Sequence, residues 1–273
     1  MIKRRILLLG HKGLLGQEFL RFFKSKKIKF FLLQKKITVF NLKKIISKNS
    51  INFIINCAGK TNICYCENNF KEAFESNTTL PLTILSVIKK TSIKFVHFSS
   101  EAIFQGNIKN KIYNEKDIPN PKNVYAITKF LPENSIIEAK NTLIIRLPFL
   151  ISEHSNEKNI SKLIKRFLNN EKVYINNKFF STFVYVPDFI NFFYKNCIMK
   201  NNFFEKKIIH YSSGENMSLY EYFIKVFDNR TKYSIKNIIP LNKKKNFQYF
   251  GLNSIYKQCI NKNNFSKIKF KCM

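Results

Sequence analysis

A chain of 273 residues with 45% hydrophobic content can bury one large core or two smaller ones. Its formal charge of +31 would ordinarily point to nucleic acid or an acidic membrane surface, but the lysines run along the whole chain among abundant Asn, Ile and Phe, with no Trp and no nucleic-acid motif. The charge is read as solvated surface with a preference for anionic ligands, and without such a motif no nucleic-acid partner is expected; 6 scattered cysteines do not make a disulfide framework and no apolar run nears the ~18 residues of a membrane span, so a cytoplasmic protein is expected.

The opening Met1 to Leu9 imitates a signal peptide, but its apolar run stops at Gly10-His11-Lys12. Arg5 to Leu9 reads instead as a short strand running into Gly10, Gly13 and Gly16 and then into a helix from Gln17 to Lys24. Glycines at such a turn let the backbone approach a pyrophosphate and aim helix N-terminal N–H groups at it. Gly10, Lys12, Gly13, Leu14, Leu15 and Gly16 are the candidate residues, and the lack of a Gly-Lys-Ser/Thr ending disfavours a mononucleotide P-loop. Lys29 to Leu33 is the next expected strand. A NAD-binding fold would end it on an acid for the ribose diol, but the chain reads Gln34-Lys35-Lys36. These cations, with Lys12, favour the 2′-phosphate of NADPH, NADH being the alternative cofactor.

The alternation continues with a helix over Leu42 to Lys48, a strand over Asn52 to Asn56, a helix from about Glu72 to Lys89, a strand over Lys94 to Phe98, a helix around Val124 to Ala139 and a strand over Thr142 to Arg146. Strands interleaved with amphipathic helices predict an α/β fold with a Rossmann-type, doubly wound parallel sheet, whose ligands bind beyond the carboxyl ends of the strands. Gly10, Cys57 to Thr61, Ser99-Ser100 and Leu147-Pro148 fall at such ends, and Asn56, Ala58, Gly59 and Thr61 are assigned to the cofactor. Cys64-Tyr65-Cys66 lacks a second cysteine pair or a spaced His pair, so no zinc site is expected.

On a helix, Tyr125 and Lys129 share one face, where an ammonium beside a phenol lowers its pKa. Ser100 at the end of the preceding strand can hydrogen-bond the same substrate oxygen, so the three groups suit protonation of a carbonyl under reduction. Tyr174 and Lys178 repeat the spacing, but Val-Tyr-Ile-Asn-Asn-Lys reads as strand and turn, where four residues span ~13 Å. From Ile151 onward the pattern loosens into shorter elements with Asn/Lys-rich connectors, and residues 241 to 273 hold no Asp or Glu. Lysines there either meet a nucleotide diphosphate or form a solvated basic tail.

Gly10-x-x-Gly13-x-x-Gly16, Ser100 and Tyr125-x-x-x-Lys129 resemble an extended short-chain dehydrogenase/reductase. Ile54 to Thr61 with Glu67 and Asn77, Val96 to Gly106, Asn123 to Lys129, Thr182 to Phe189 and His210 to Ser218 resemble the dTDP-4-dehydrorhamnose reductase branch, so the likeness covers most of the chain. The resemblance implies Ser100 as the hydroxyl polarising the carbonyl, Tyr125 as general acid, and Lys129 as the group that eases the tyrosine proton off and holds the cofactor ribose. It implies an NAD(P)-binding Rossmann domain over 1–150 and a mainly substrate-binding region over 151–273. The expected reaction is NADPH-dependent reduction of a nucleotide-diphosphate 4-keto-6-deoxy sugar, with room for a homodimer. A non-catalytic NAD(P)-binding regulatory subunit, or an epimerase or dehydratase of the same fold, is the alternative. Departures at Leu147-Pro148-Phe149, Glu101-Ala102 and Asn246-Phe247, positions near substrate in the family, leave the sugar open.

Overall fold

Ile6–Leu9 is apolar at every position and buried at every position, the mark of a strand covered on both faces. It forms β1, the centre from which the computed structural model, describing residues 4–33, 37–152, 160–228, 234–241 and 247–261, is built outward. The elements that follow are α1 (Leu14–Ser25), β2 (Phe30–Leu32), α2 (Val39–Asn49), β3 (Phe53–Asn56), α3 (Ile63–Asn68), α4 (Phe70–Phe74), a π turn (Glu75–Thr79), α5 (Leu80–Ile88) and β4 (Lys94–Ser100). After them come α6 (Val124–Phe130), α7 (Glu133–Glu138) and β5 (Thr142–Leu147). The rest is β6 (Leu150–Ile151), α8 (Ile160–Leu168), β7 (Val173–Asn176), β8 (Phe179–Ser181), β9 (Val184–Tyr185), α9 (Val186–Phe193), β10 (Ile208–His210), β11 (Met217–Ser218), α10 (Leu219–Phe227), β12 (Ile238–Leu241) and β13 (Gln248–Tyr249).

The main sheet runs β10-β5-β4-β3-β1-β2, with β1 parallel to both β2 and β3 and β3 parallel to β4. The chain lays β2 on one side of β1 and crosses back to lay β3 on the other, so the strand order reverses at β1. That reversal leaves a crevice at the carboxyl ends of β1 and β3, the place where doubly wound sheets hold ligands. The expected Rossmann-type fold is what the chain adopts.

Two expected helices are broken, both by proline. The helix expected from about Glu72 to Lys89 contains the π turn, because Pro81 has no N–H for the carbonyl of Asn77 four residues back and the chain widens there. The helix expected from Val124 to Ala139 parts into α6 and α7 at Leu131-Pro132 for the same reason.

The described chain divides into two compact units, discontinuous in sequence: Met1–Phe104, Ile118–Arg146 and Phe189–Ile209 form one, and Gln105–Asp117, Leu147–Asp188 and His210–Met273 the other. In the first, Leu7, Leu9, Ile54, Phe95 and Ile144 meet Ile84 and Ile88 of α5, while Phe19, Phe98, Phe189 and Phe193 form an aromatic cluster in which Phe19 and Phe193 lie edge-on at 5.1 Å. In the second, α10, opened by a Ser218/Glu221 capping box, packs Tyr222, Phe223 and Phe227 with Phe167, Val173, Phe183 and Ile238. Its sheets are β11-β8-β13, parallel β7 and β12, and parallel β6 and β9. No helix of the described residues is long and apolar enough to cross a membrane.

Candidate active site

The glycine turn owes its shape to backbone crowding. Gly10 has φ +73°, and a Cβ there would lie 2.2 Å from the Ala58 nitrogen. A Cβ at Gly16 would lie 2.2 Å from the Gly10 carbonyl oxygen, so the first turn of α1 can settle on Gly10 only because Gly16 is bare. Gly13 differs. It is the exposed N-cap of α1, and a Cβ there would come no closer than 3.6 Å to the protein's own atoms, so the protein's packing does not demand glycine here. Gly13 supplies no side-chain cap and the first turn holds no acid, so the N–H groups of Leu14 and Leu15 open α1 without a capping oxygen, an arrangement suited to an anion. Lys12 is exposed beside them, its carbonyl accepting from the Gln17 side chain at 2.8 Å. Lys35 lies outside the described residues.

At the end of β3 the backbone is clamped from a distant helix. Asn77, fully buried in the π turn, accepts the Lys60 N–H at 2.8 Å and donates to the Lys60 carbonyl at 3.0 Å and to the Thr128 hydroxyl at 3.0 Å. Thr78 donates to the Thr128 carbonyl at 2.7 Å, so the π turn joins the β3 loop to α6. Gly59 fits in this clamp because a Cβ would lie 2.9 Å from the Asn77 Oδ1 and 3.9 Å from the Lys129 Nζ. Asn56 is buried and its Oδ1 accepts the Ala58 N–H at 3.1 Å. Thr61 is exposed, one residue before Asn62, which caps α3 at 2.8 Å.

The N-terminus of α6 is held twice. Asn123 caps it, accepting the Ala126 N–H at 2.8 Å, and the Glu67 carboxylate accepts the Val124 N–H at 2.8 Å. The helix packs on β4 and on the short turn that follows it, Glu101–Ile103. Tyr125 is half-buried and Lys129, one turn on, is 6% exposed with its Nζ donating to the Phe98 carbonyl. Burial lowers the Lys129 pKa to about 8, against the opposing pull of Glu133 and Cys57. Glu133 is itself buried and held by two hydrogen bonds from Arg146, Nε at 3.2 Å and Nη2 at 2.7 Å. Ser100 ends β4 half-buried, its Oγ accepting the Ala102 N–H at 3.2 Å.

The structure thus gathers Gly10, Gly16, Asn56, Ala58, Gly59 and Lys129 at adjoining strand ends, with α6 carrying Tyr125 alongside β4 and Ser100. Tyr174 stands 51% exposed on β7, and Lys178 follows that strand's end. Thr128 escaped sequence reasoning because a threonine inside a helix advertises no partner. Asn77 and Glu67 were marked by resemblance without a role, and the Phe98 carbonyl is a backbone group that no residue pattern reveals. What the cluster offers chemically is an anion-suited turn at the start of α1 and a buried ammonium one helical turn from a phenol, on a helix packed against β4, whose last residue carries a hydroxyl.

Residues 4–248 match the model of the family described as RmlD substrate binding domain. Among curated proteins, a Haloferax volcanii protein named "Probable low-salt glycan biosynthesis reductase" is 30% identical over 107 residues, 39% of this chain and 35% of its own. The methionine adenosyltransferase 2 subunit beta of Bos taurus is 27% identical over 165 residues, 55% of this chain and 48% of its own. The chain therefore spans about half or less of these curated relatives. Among solved structures, a dTDP-4-dehydrorhamnose reductase of Bacillus anthracis in complex with NADP superposes with TM-score 0.76 at 19% identity, covering 92% of this chain and 90% of that one.

Proposed function

The chain belongs to the RmlD substrate binding domain family, and from that premise we propose that it is an NADPH-dependent reductase of a nucleotide-diphosphate 4-keto-6-deoxy sugar. The single observation that carries the reading is the placement of Lys129: a buried ammonium at the carboxyl end of β4, one helical turn from Tyr125 and against Gly59. The residues fit the cofactor. Gly10 and Gly16 close the turn, Gly13 leaves its surface bare, the uncapped N–H groups of Leu14 and Leu15 suit the pyrophosphate, and Lys12 suits a 2′-phosphate.

NADPH, when bound, supplies the hydride. The chain's own work is on the oxygen. Tyr125 gives its phenolic proton to the carbonyl oxygen as negative charge develops, Ser100 donates a hydrogen bond to the same atom, and the Lys129 ammonium stabilises the phenolate left behind. Lys129 also binds the ribose, and Asn56, Ala58, Gly59 and Thr61 line the cofactor. Residues 1–150 hold the cofactor and 151–273 furnish most substrate contacts, in a cytoplasmic protein able to pair as a homodimer.

The reading is tested by following NADPH absorbance with dTDP-4-keto-6-deoxy sugars: the expected result is stoichiometric oxidation of NADPH, and none across a panel of nucleotide sugars sinks it. The name of the bovine relative favours a second reading, a non-catalytic cofactor-binding subunit. That reading expects NADPH to bind without being consumed.

A further inference from the structure

His97 lies in β4 directly across from Asn56 of β3, and both side chains are buried, 0% and 1% exposed. The Asn56 Oδ1 is engaged by the Ala58 N–H at 3.1 Å, and only an oxygen can accept that bond. The amide is thereby oriented, and its Nδ2 faces the His97 Nδ1 at 3.3 Å. An amide NH₂ only donates, so Nδ1 is the acceptor and the ring proton sits on Nε2. Nε2 is buried and has no hydrogen-bond partner among the described residues, an arrangement rare enough to need a reason.

We infer that His97 is a positioning residue for the cofactor loop: its Nδ1 lone pair orients the Asn56 amide, which in turn sets the Ala58 N–H and the backbone against which Gly10 is packed. The inference rests on the reading that this loop holds NADPH. A Cβ at Gly10 would lie within 2.5 Å of three Cys57 and Ala58 backbone atoms, so any rotation of that backbone is felt directly by the glycine turn. The imidazole must stay neutral to accept. Burial and the nearby Lys129 ammonium keep it so, holding its pKa well below the ordinary histidine value. The unpaired Nε2–H is the cost of presenting the lone pair toward Asn56.

The test uses the full chain. His97→Phe keeps a buried ring and removes the acceptor; it is expected to raise the NADPH Kd about tenfold, the worth of about one oriented hydrogen bond, with kcat at saturating NADPH within about a factor of two. His97→Gln, which restores an acceptor oxygen, is expected to recover most of the affinity. Because His97 acts through Asn56, the double variant His97→Phe/Asn56→Ala should bind NADPH no more weakly than Asn56→Ala alone. Unchanged affinity in His97→Phe, or additive losses in the double variant, overturns the inference. Should the phenylalanine variant fail to fold, the imidazole ¹⁵N spectrum of the unaltered protein decides: Nε2–H with bare Nδ1 at neutral pH is expected, and a proton on Nδ1 overturns it. Failure of the unaltered protein to bind NADPH refutes the cofactor reading separately, whatever the imidazole spectrum says.

Discussion

Two segments of this chain carry tyrosine and lysine four residues apart, and they could hardly differ more. On α6, Tyr125 is half-buried and Lys129 is sunk among Phe98, Gly59 and Cys57 with a pKa drawn down to about 8. On β7, Tyr174 is half in solvent and Lys178 lies past the strand's end. The helical period stacks positions i and i+4, whereas four residues of strand separate them by ~13 Å. A motif written as spacing has chemical meaning only once the backbone period is known. Burial then does the rest, because an exposed ammonium is screened while a desolvated one is a strong local field.

The sharpest way to break the α6 site is from behind. Arg146→Leu strips the partner from a fully buried Glu133 and is expected to cost ~3–5 kcal/mol of stability, seen as a lower midpoint in urea unfolding. Exposed Tyr174→Phe should stay within ~0.5 kcal/mol of the parent. Next comes the proposed proton donor. Tyr125→Phe is expected to keep NADPH affinity and lose turnover by ~10²-fold or more, while Tyr174→Phe turns over at the parent rate. If both variants reduce substrate normally, the contrast between the two segments has no catalytic content.

A pH series sharpens the comparison further. Lys129 is an ammonium below about 8 and an amine above it, so turnover should decline as pH rises through about 8. Its contribution to stability runs the other way. Between about 8 and the ordinary lysine value of 10.5 the unfolded chain holds this proton and the folded chain does not, so unfolding free energy from this group rises with pH across that window. Lys129→Met should flatten that rise, as measured by urea midpoints from pH 8 to 10. The smallest expected effect is in cofactor choice: NADPH should bind more tightly than NADH through Lys12, checked by fluorescence titration, and Lys12→Ala should narrow the gap.

Much of this protein was readable along the chain because it depends on near neighbours. Four consecutive buried aliphatics make β1, bare Gly10 and Gly16 make a tight strand-to-helix turn, and the strand-helix alternation makes a parallel sheet, all through local dihedral preference and hydrophobic period. The same local rule put Tyr125 and Lys129 on one face. Two prolines interrupt the local helical pattern: Pro81 widens one helix into a π turn and Pro132 ends another. Only the tertiary structure decided who holds whom. Asn77 clamps Lys60 across 17 residues and Thr128 across 51, Lys129 finds the Phe98 carbonyl across 31, and Asn56 meets His97 across 41. Those pairs join backbone groups, buried amides, a hydroxyl and an imidazole, and their choice depends on which elements lie side by side. The physical reason is range: backbone preference acts over a few residues, whereas the need to satisfy a buried polar group is met by whatever the fold brings within hydrogen-bonding reach.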